Sequence, residues 1–95
     1  MQLKDFEMMP TETPNGVQAI LKFGDDYELS IIQSEFSYGG SQGLYEIGVF
    51  KHGVMTEMPG ITNENDTVRG YLTEADVDGI INKMFYATGK QPEQI

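Results

Sequence analysis

Two adjacent runs of strictly alternating side chains constrain this chain more than any other feature. Val17, Ala19, Leu21 and Phe23 alternate with Gln18, Ile20 and Lys22. After Gly24-Asp25-Asp26, Tyr27, Leu29 and Ile31 alternate with Glu28, Ser30 and Ile32. Successive side chains of a strand point to opposite faces, so each run has one strongly apolar face. Gly-Asp-Asp is turn chemistry, and the two runs predict an antiparallel hairpin with both apolar faces on one side.

A second strand pair follows. Tyr45, Ile47 and Val49 form one face of a third strand, and Leu44, Glu46, Gly48 and Phe50 form the other. Lys51-His52-Gly53-Val54 is a hairpin turn signal, leading to a short fourth strand from Val54 to Met58 that Pro59-Gly60 ends. Gly48 inside a strand predicts a bulge or a side chain crossing from a helix. Residues 59–71 then read as a long irregular connection, of a kind that in small domains tends to be functional or mobile.

One helix is clear. Thr73 is its N-cap and Asp76, at the third helical position, completes a capping box with a shorter acid than usual. Leu72 and Val77 are spaced for a hydrophobic staple. Val77, Ile80, Ile81, Met84 and Phe85 form a stripe at helical spacing, and Gly89 is a stop signal. Gly79 lies off that stripe, where it marks either close approach by another chain or a weakly designed helix.

These elements predict an α+β fold, an antiparallel sheet of about four strands in two hairpins, packed against one C-terminal helix. Residues 1–15 read as an N-terminal arm in which Met8 and Met9 could pack on the sheet. Residues 16–90 form the single domain and residues 91–95 a tail. Ile20, Ile32, Leu44 and Phe50 lie on the sheet face away from the helix, where the arm or a homodimer or higher oligomer would cover them.

Composition narrows function by exclusion. Ninety-five residues make one domain, burying roughly 60–65% of the surface that the unfolded chain exposes. The chain has no cysteine, so disulfides and thiolate metal sites are excluded, in keeping with a reducing cytoplasm. No apolar run reaches membrane-spanning length, and residues 1–10 lack a signal-peptide pattern. Fifteen acids against six bases give a net charge of −9, which repels a phosphate backbone and argues against direct nucleic-acid binding. The same charge attracts a basic partner or simply keeps the protein soluble.

Catalytic chemistry is hard to assemble from these residues. The single histidine, His52, falls in a predicted turn, and a turn role is the expectation. Zinc would need mostly carboxylates. Asn63-Glu64-Asn65-Asp66 lacks the central glycine and flanking helices of a calcium loop. The expectation is a non-enzymatic protein with no cofactor and no metal.

The segment Phe36-Ser-Tyr-Gly-Gly-Ser-Gln-Gly-Leu-Tyr45 is the main candidate site. It is neither a dinucleotide fingerprint nor a Walker loop, because it enters a strand and no Lys-Ser/Thr follows. Two readings stand: a tightly bent or flexible β connection, or a recognition loop. In the second, Gly39, Gly40 and Gln42 offer backbone and polar contacts, and Tyr38 and Tyr45 offer rigid amphipathic surface. Arg69, the sole arginine, lies beside Gly70-Tyr71 and is placed either to pair locally with Asp66 or Glu74 or, with Tyr71, to bind a ligand.

The order Tyr38-Gly-Gly, Gly43-Leu-Tyr-Glu-Ile and Asp66-Thr-Val-Arg-Gly-Tyr-Leu-Thr-Glu-Ala-Asp-Val resembles small proteins of unknown function encoded by tailed bacteriophages. The resemblance spans roughly residues 16–86. Thr67 stands where those proteins usually carry a second acid, and residues 1–15 lie outside it. It implies a non-virion phage accessory protein acting in the host cytoplasm and brings no established active site. The function expected is inhibition of a host protein, with an anti-phage defence component as a possible target. The alternatives are an oligomeric sponge for a nucleotide immune signal, built around Tyr38, Gly39, Gly40, Arg69 and Tyr71, and an acidic DNA mimic. The isolated acids on the strands fit a mimic poorly.

Overall fold

The alternating runs pair as their pattern requires. In the computed structural model, which describes residues 1–95, β2 (Val17–Phe23) and β3 (Tyr27–Gln33) form an antiparallel hairpin with Leu21 opposite Leu29 and Ala19 opposite Ile31. β4 (Tyr45–Lys51) adds to the far side of β3, placing Ile47 opposite Ile31 and Val49 opposite Leu29. Leu21, Leu29, Ile31, Ile47 and Val49 are fully buried. A one-residue slip would turn that whole set to the opposite face, so burial sets the register. The turn after β4 places both His52 and Gly53 at positive φ, 52° and 78°, the conformation that a two-residue type I′ hairpin demands.

The helix α1 (Glu74–Thr88) crosses this apolar face and buries Val77, Ile80, Ile81 and Met84 in the same core. Its start is capped in both directions. The Asp76 N–H donates to Thr73 Oγ1 at 3.1 Å, and the Thr73 N–H donates to Asp76 Oδ2 at 3.0 Å. Leu72 and Val77, the staple pair, are both in the core. The helix ends at Gly89, in a left-handed conformation, whose N–H reaches the Phe85 carbonyl. At Gly79 an added Cβ would meet nothing within 4 Å, so no contact within the chain calls for glycine there.

The sheet has seven strands rather than about four. The additional ones complete its two edges. β1 (Met9–Pro10) and β7 (Pro92–Gln94) lie end to end along β2. β5 (Val54–Met55) and β6 (Val68–Leu72) lie end to end along β4. Strands of two or three residues are too short to display an alternation. β6 lies within the stretch expected to be irregular, and the expected fourth strand to Met58 pairs only at Val54 and Met55.

Both chain ends belong to this framework. Leu3 is buried in the core, and its N–H donates to Asp78 Oδ1 on the helix at 2.7 Å. Phe6 and Met8 pack against the same core. Glu7 and Gln94 bond reciprocally, backbone to side-chain amide, and the Ile95 N–H reaches the Ile20 carbonyl at 3.0 Å. Residues 1–8 therefore pack beside the helix instead of over the opposite sheet face. There Ile20, Ile32 and Phe50 are half-buried. Gly48 belongs to that outer face as well, with Val68 and Met55 beside it and no helix side chain crossing.

Two predictions follow from the packing of Leu3 and the cap at Thr73. Leu3→Ala should lower the unfolding free energy by about 2–4 kcal/mol in urea denaturation, whereas a freely hanging arm would leave it unchanged. At Asp76 the Thr73 N–H, the Thr73 hydroxyl and, last, the Arg69 charge hold the carboxyl below its ordinary value of 3.8. A depressed folded-state pKa stabilises the fold above the unfolded value and ceases to do so as pH falls through the lower folded value. The stability gap between the wild type and Asp76→Asn should therefore be constant from neutral pH down to about pH 4 and narrow below it, as read from denaturant midpoints at stepped pH.

Candidate functional site

The glycine segment and the connection before the helix meet at one end of the sheet. After β3, Ser34 and Ser37 close a tight turn. The Ser37 hydroxyl donates to the Ser34 carbonyl at 2.9 Å and accepts from the Ser34 N–H at 2.9 Å. Gly39 is left-handed at φ 87°, and Gly40–Gln42 form one turn of 3-10 helix closed by Gly43 at φ 77°. A side chain at Gly40 would fall on the Ser34 carbonyl. This glycine allows close self-packing, and its N–H is bonded to the Ser37 carbonyl at 3.1 Å. The expectation of an available amide at Gly40 is therefore corrected, and the segment is a tightly bent connection.

That connection docks on an irregularity in β6. Between the pairs Tyr45↔Leu72 and Ile47↔Arg69 the register shifts, leaving Gly70 and Tyr71 opposite the single residue Glu46. An extra residue on one strand makes a β-bulge. Tyr71 sits in it at φ 57°. The other non-glycine residues with positive φ are Asn15, His52 and Asn65, residue types that tolerate the left-handed region. For tyrosine this conformation costs about 1–2 kcal/mol. It is held from the glycine segment, since the Tyr71 N–H donates to the Tyr38 carbonyl at 3.1 Å and the Tyr38 N–H donates to Glu46 Oε1 at 2.7 Å. Contact is so close that a side chain at Gly70 would collide with Tyr38, and one at Gly39 would come within 2.9 Å of the Tyr71 Cα.

The result is a pair of tyrosine rings presented outward. Tyr38 and Tyr71 are each 59% exposed, with ring centroids 6.5 Å apart and planes inclined by 29°. Phe36 stands exposed on the same segment. Beside the rings lies an open cleft of about 250 Å³ lined by Tyr38, Asn63, Asp66, Val68, Gly70 and Tyr71. Asp66 ends a turn that begins at Asn63, and its Oδ1 accepts the Thr67 N–H at 2.7 Å.

Of the residues singled out from sequence, Tyr38 and Tyr71 come together here. Gly39, expected to offer its backbone, is instead buried, lies outside the cleft lining and has its carbonyl taken up by the Gln42 and Leu44 N–H groups. Gly40 supports the bend, and Gln42 is exposed on the 3-10 turn. Tyr45 packs against the hydrophobic core. Arg69 is half-buried, does not line the cleft, and forms no ion pair with Asp66 or Glu74. Asn63, Asp66, Val68 and Gly70 complete the cleft. Their signal in the sequence was the Asn/Asp turn and the glycine before Tyr71, and nothing local placed them beside Tyr38.

A larger cleft, about 330 Å³, lies where β1 and β7 meet along β2, walled by Met9, Pro10, Ile20 and Ile95 among others. It is the gap left by two short strands set end to end. His52 Nε2 stands 3.2 Å from Asp26 Oδ1 in two exposed turns. No helix is long and apolar enough to cross a membrane. No protein-family model, curated protein or solved structure matches this chain.

The bulge makes a paired prediction. Gly70→Ala should destabilise the fold by about 1–3 kcal/mol, because the new methyl must displace Tyr38. Tyr71→Gly should stay within about 1 kcal/mol of the wild type, since relief of the left-handed strain offsets the lost ring contacts and the added chain entropy. Denaturant unfolding of the two variants reads both, and a large loss at Tyr71→Gly would assign that ring a structural role.

Proposed function

We propose that this chain is a non-enzymatic binding protein whose recognition surface is the Tyr38–Tyr71 pair with Phe36 at its margin. Following the motif resemblance, it is a phage accessory protein that acts in the host cytoplasm and blocks a host protein, with an anti-phage defence component as the target class. One observation carries the reading: Tyr71 is held in an unfavourable backbone conformation, yet its ring is mostly in solvent. Strain retained without internal packing gain is characteristic of functional positions. Exposed tyrosines on a rigid support bring contact area at small entropic cost, as interface anchors do.

The cleft chemistry favours a protein partner over a nucleotide immune signal. Phosphates would face the Asp66 carboxylate, and no lysine or arginine lines the cleft. A tagged wild-type chain should retain a specific host protein from infected or defence-positive lysate. The Tyr38→Ala/Tyr71→Ala double variant, folded by circular dichroism, should retain at least about tenfold less. Undiminished retention by the double variant, or no protein retained by either form, would reject this surface as the binding site.

A further inference from the structure

The cleft beside the tyrosines has a definite chemical preference. Its walls offer two aromatic rings, one carboxylate, one amide side chain and the backbone at Gly70. The faces of tyrosine rings are electronegative and attract cations. Asp66 uses Oδ1 on the Thr67 N–H, and its second oxygen has no partner among the hydrogen bonds of the chain. Nothing basic balances it: no lysine or arginine lines the cleft, and Asp66 takes part in neither of the ion pairs of the chain. Glu64 lies on the same connection, and the chain as a whole carries −9. The cleft, about 250 Å³, falls below the roughly 300 Å³ at which drug-sized sites begin. Its size suits one side chain.

We propose that this cleft is a receptor for an arginine side chain of a basic protein partner. The planar guanidinium stacks against the Tyr71 and Tyr38 surface and directs an N–H to Asp66, two contacts that a flat, delocalised cation makes together and an ammonium makes less well. The side-chain amide of Asn63, which also lines the cleft, offers a further acceptor. The charge of the whole chain then raises the rate of encounter with a basic surface. This inference rests on the protein-binding reading above and specifies what that partner inserts.

The test uses the full chain, 15N-labelled, titrated with N-acetyl-arginine amide and with the lysine and citrulline counterparts. Citrulline keeps the shape of arginine without its charge. Arginine should shift the amides of Asp66, Gly70 and Tyr71 with a Kd on the order of 1–10 mM. Lysine should bind about threefold or more weakly, and citrulline should not shift these amides. Asp66→Asn keeps an acceptor for the Thr67 N–H and should weaken arginine at least about fivefold, and added salt should weaken it in the wild type. Equal shifts with citrulline, no arginine response at these amides, or an Asp66→Asn variant that binds as the wild type does would each overturn the proposal. Partner capture that needs Tyr38 and Tyr71 but gives no arginine response overturns the arginine receptor alone. An arginine response with capture indifferent to the tyrosines overturns the tyrosine surface as the partner-binding site instead.

Discussion

Burial of one face of a three-strand meander is the constraint on which the molecule depends. Leu21, Leu29, Ile31, Ile47 and Val49 form a continuous apolar surface only in the observed register, and the stripe of α1 covers it. Burial of that surface is the main favourable contribution to folding in a chain of this size. Every other part is placed relative to it. The helix must cross the face, Leu3 fills the space beside the helix, and the remaining segments run along the sheet edges.

Those edges explain the economy of the fold. Three long strands leave two exposed rows of backbone groups, which are prone to pairing with other chains. Each row is closed by two short strands, one pair drawn from the chain ends and the other from the hairpin and the connection before the helix. Because the β5–β6 edge is built from separate pieces, a bulge in β6 can be accommodated without disturbing the core register. The irregularity lies opposite Glu46, on the face away from the helix, where Gly48 leaves space next to Val68.

The candidate site stores the consequence of that arrangement. A glycine segment bends tightly enough to place the Tyr38 backbone on the bulge, and the bulge turns Tyr71 outward. Glu46 ties Tyr38 down with a charge-assisted bond, so the two rings sit on a fixed support. Binding through such a surface sacrifices little side-chain freedom, and the acid in the adjoining cleft gives it a sign preference.

The α+β class, the central hairpin, the third strand, the His52-Gly53 turn and the capped helix were legible in the residues, because each rests on local periodicity or turn chemistry. Tyr38, Gly39 and Tyr71 could also be singled out, as aromatics and glycines in unusual loops. Their juxtaposition was not legible, since residues more than thirty positions apart in the chain meet only through the pairing of β6 with β4 and the docking of Tyr38 on Gly70. The same holds for the ends, where Leu3 and Gln94 have partners distant in the chain. Tyr45 was drawn away from the expected site by the core, and Arg69, half-buried on β6, does not reach the cleft. Strands, turns and helix are written in the local pattern of side chains. Which loops touch follows from the three-dimensional fold alone, because edge pairing and close backbone contact leave no period in a single chain segment.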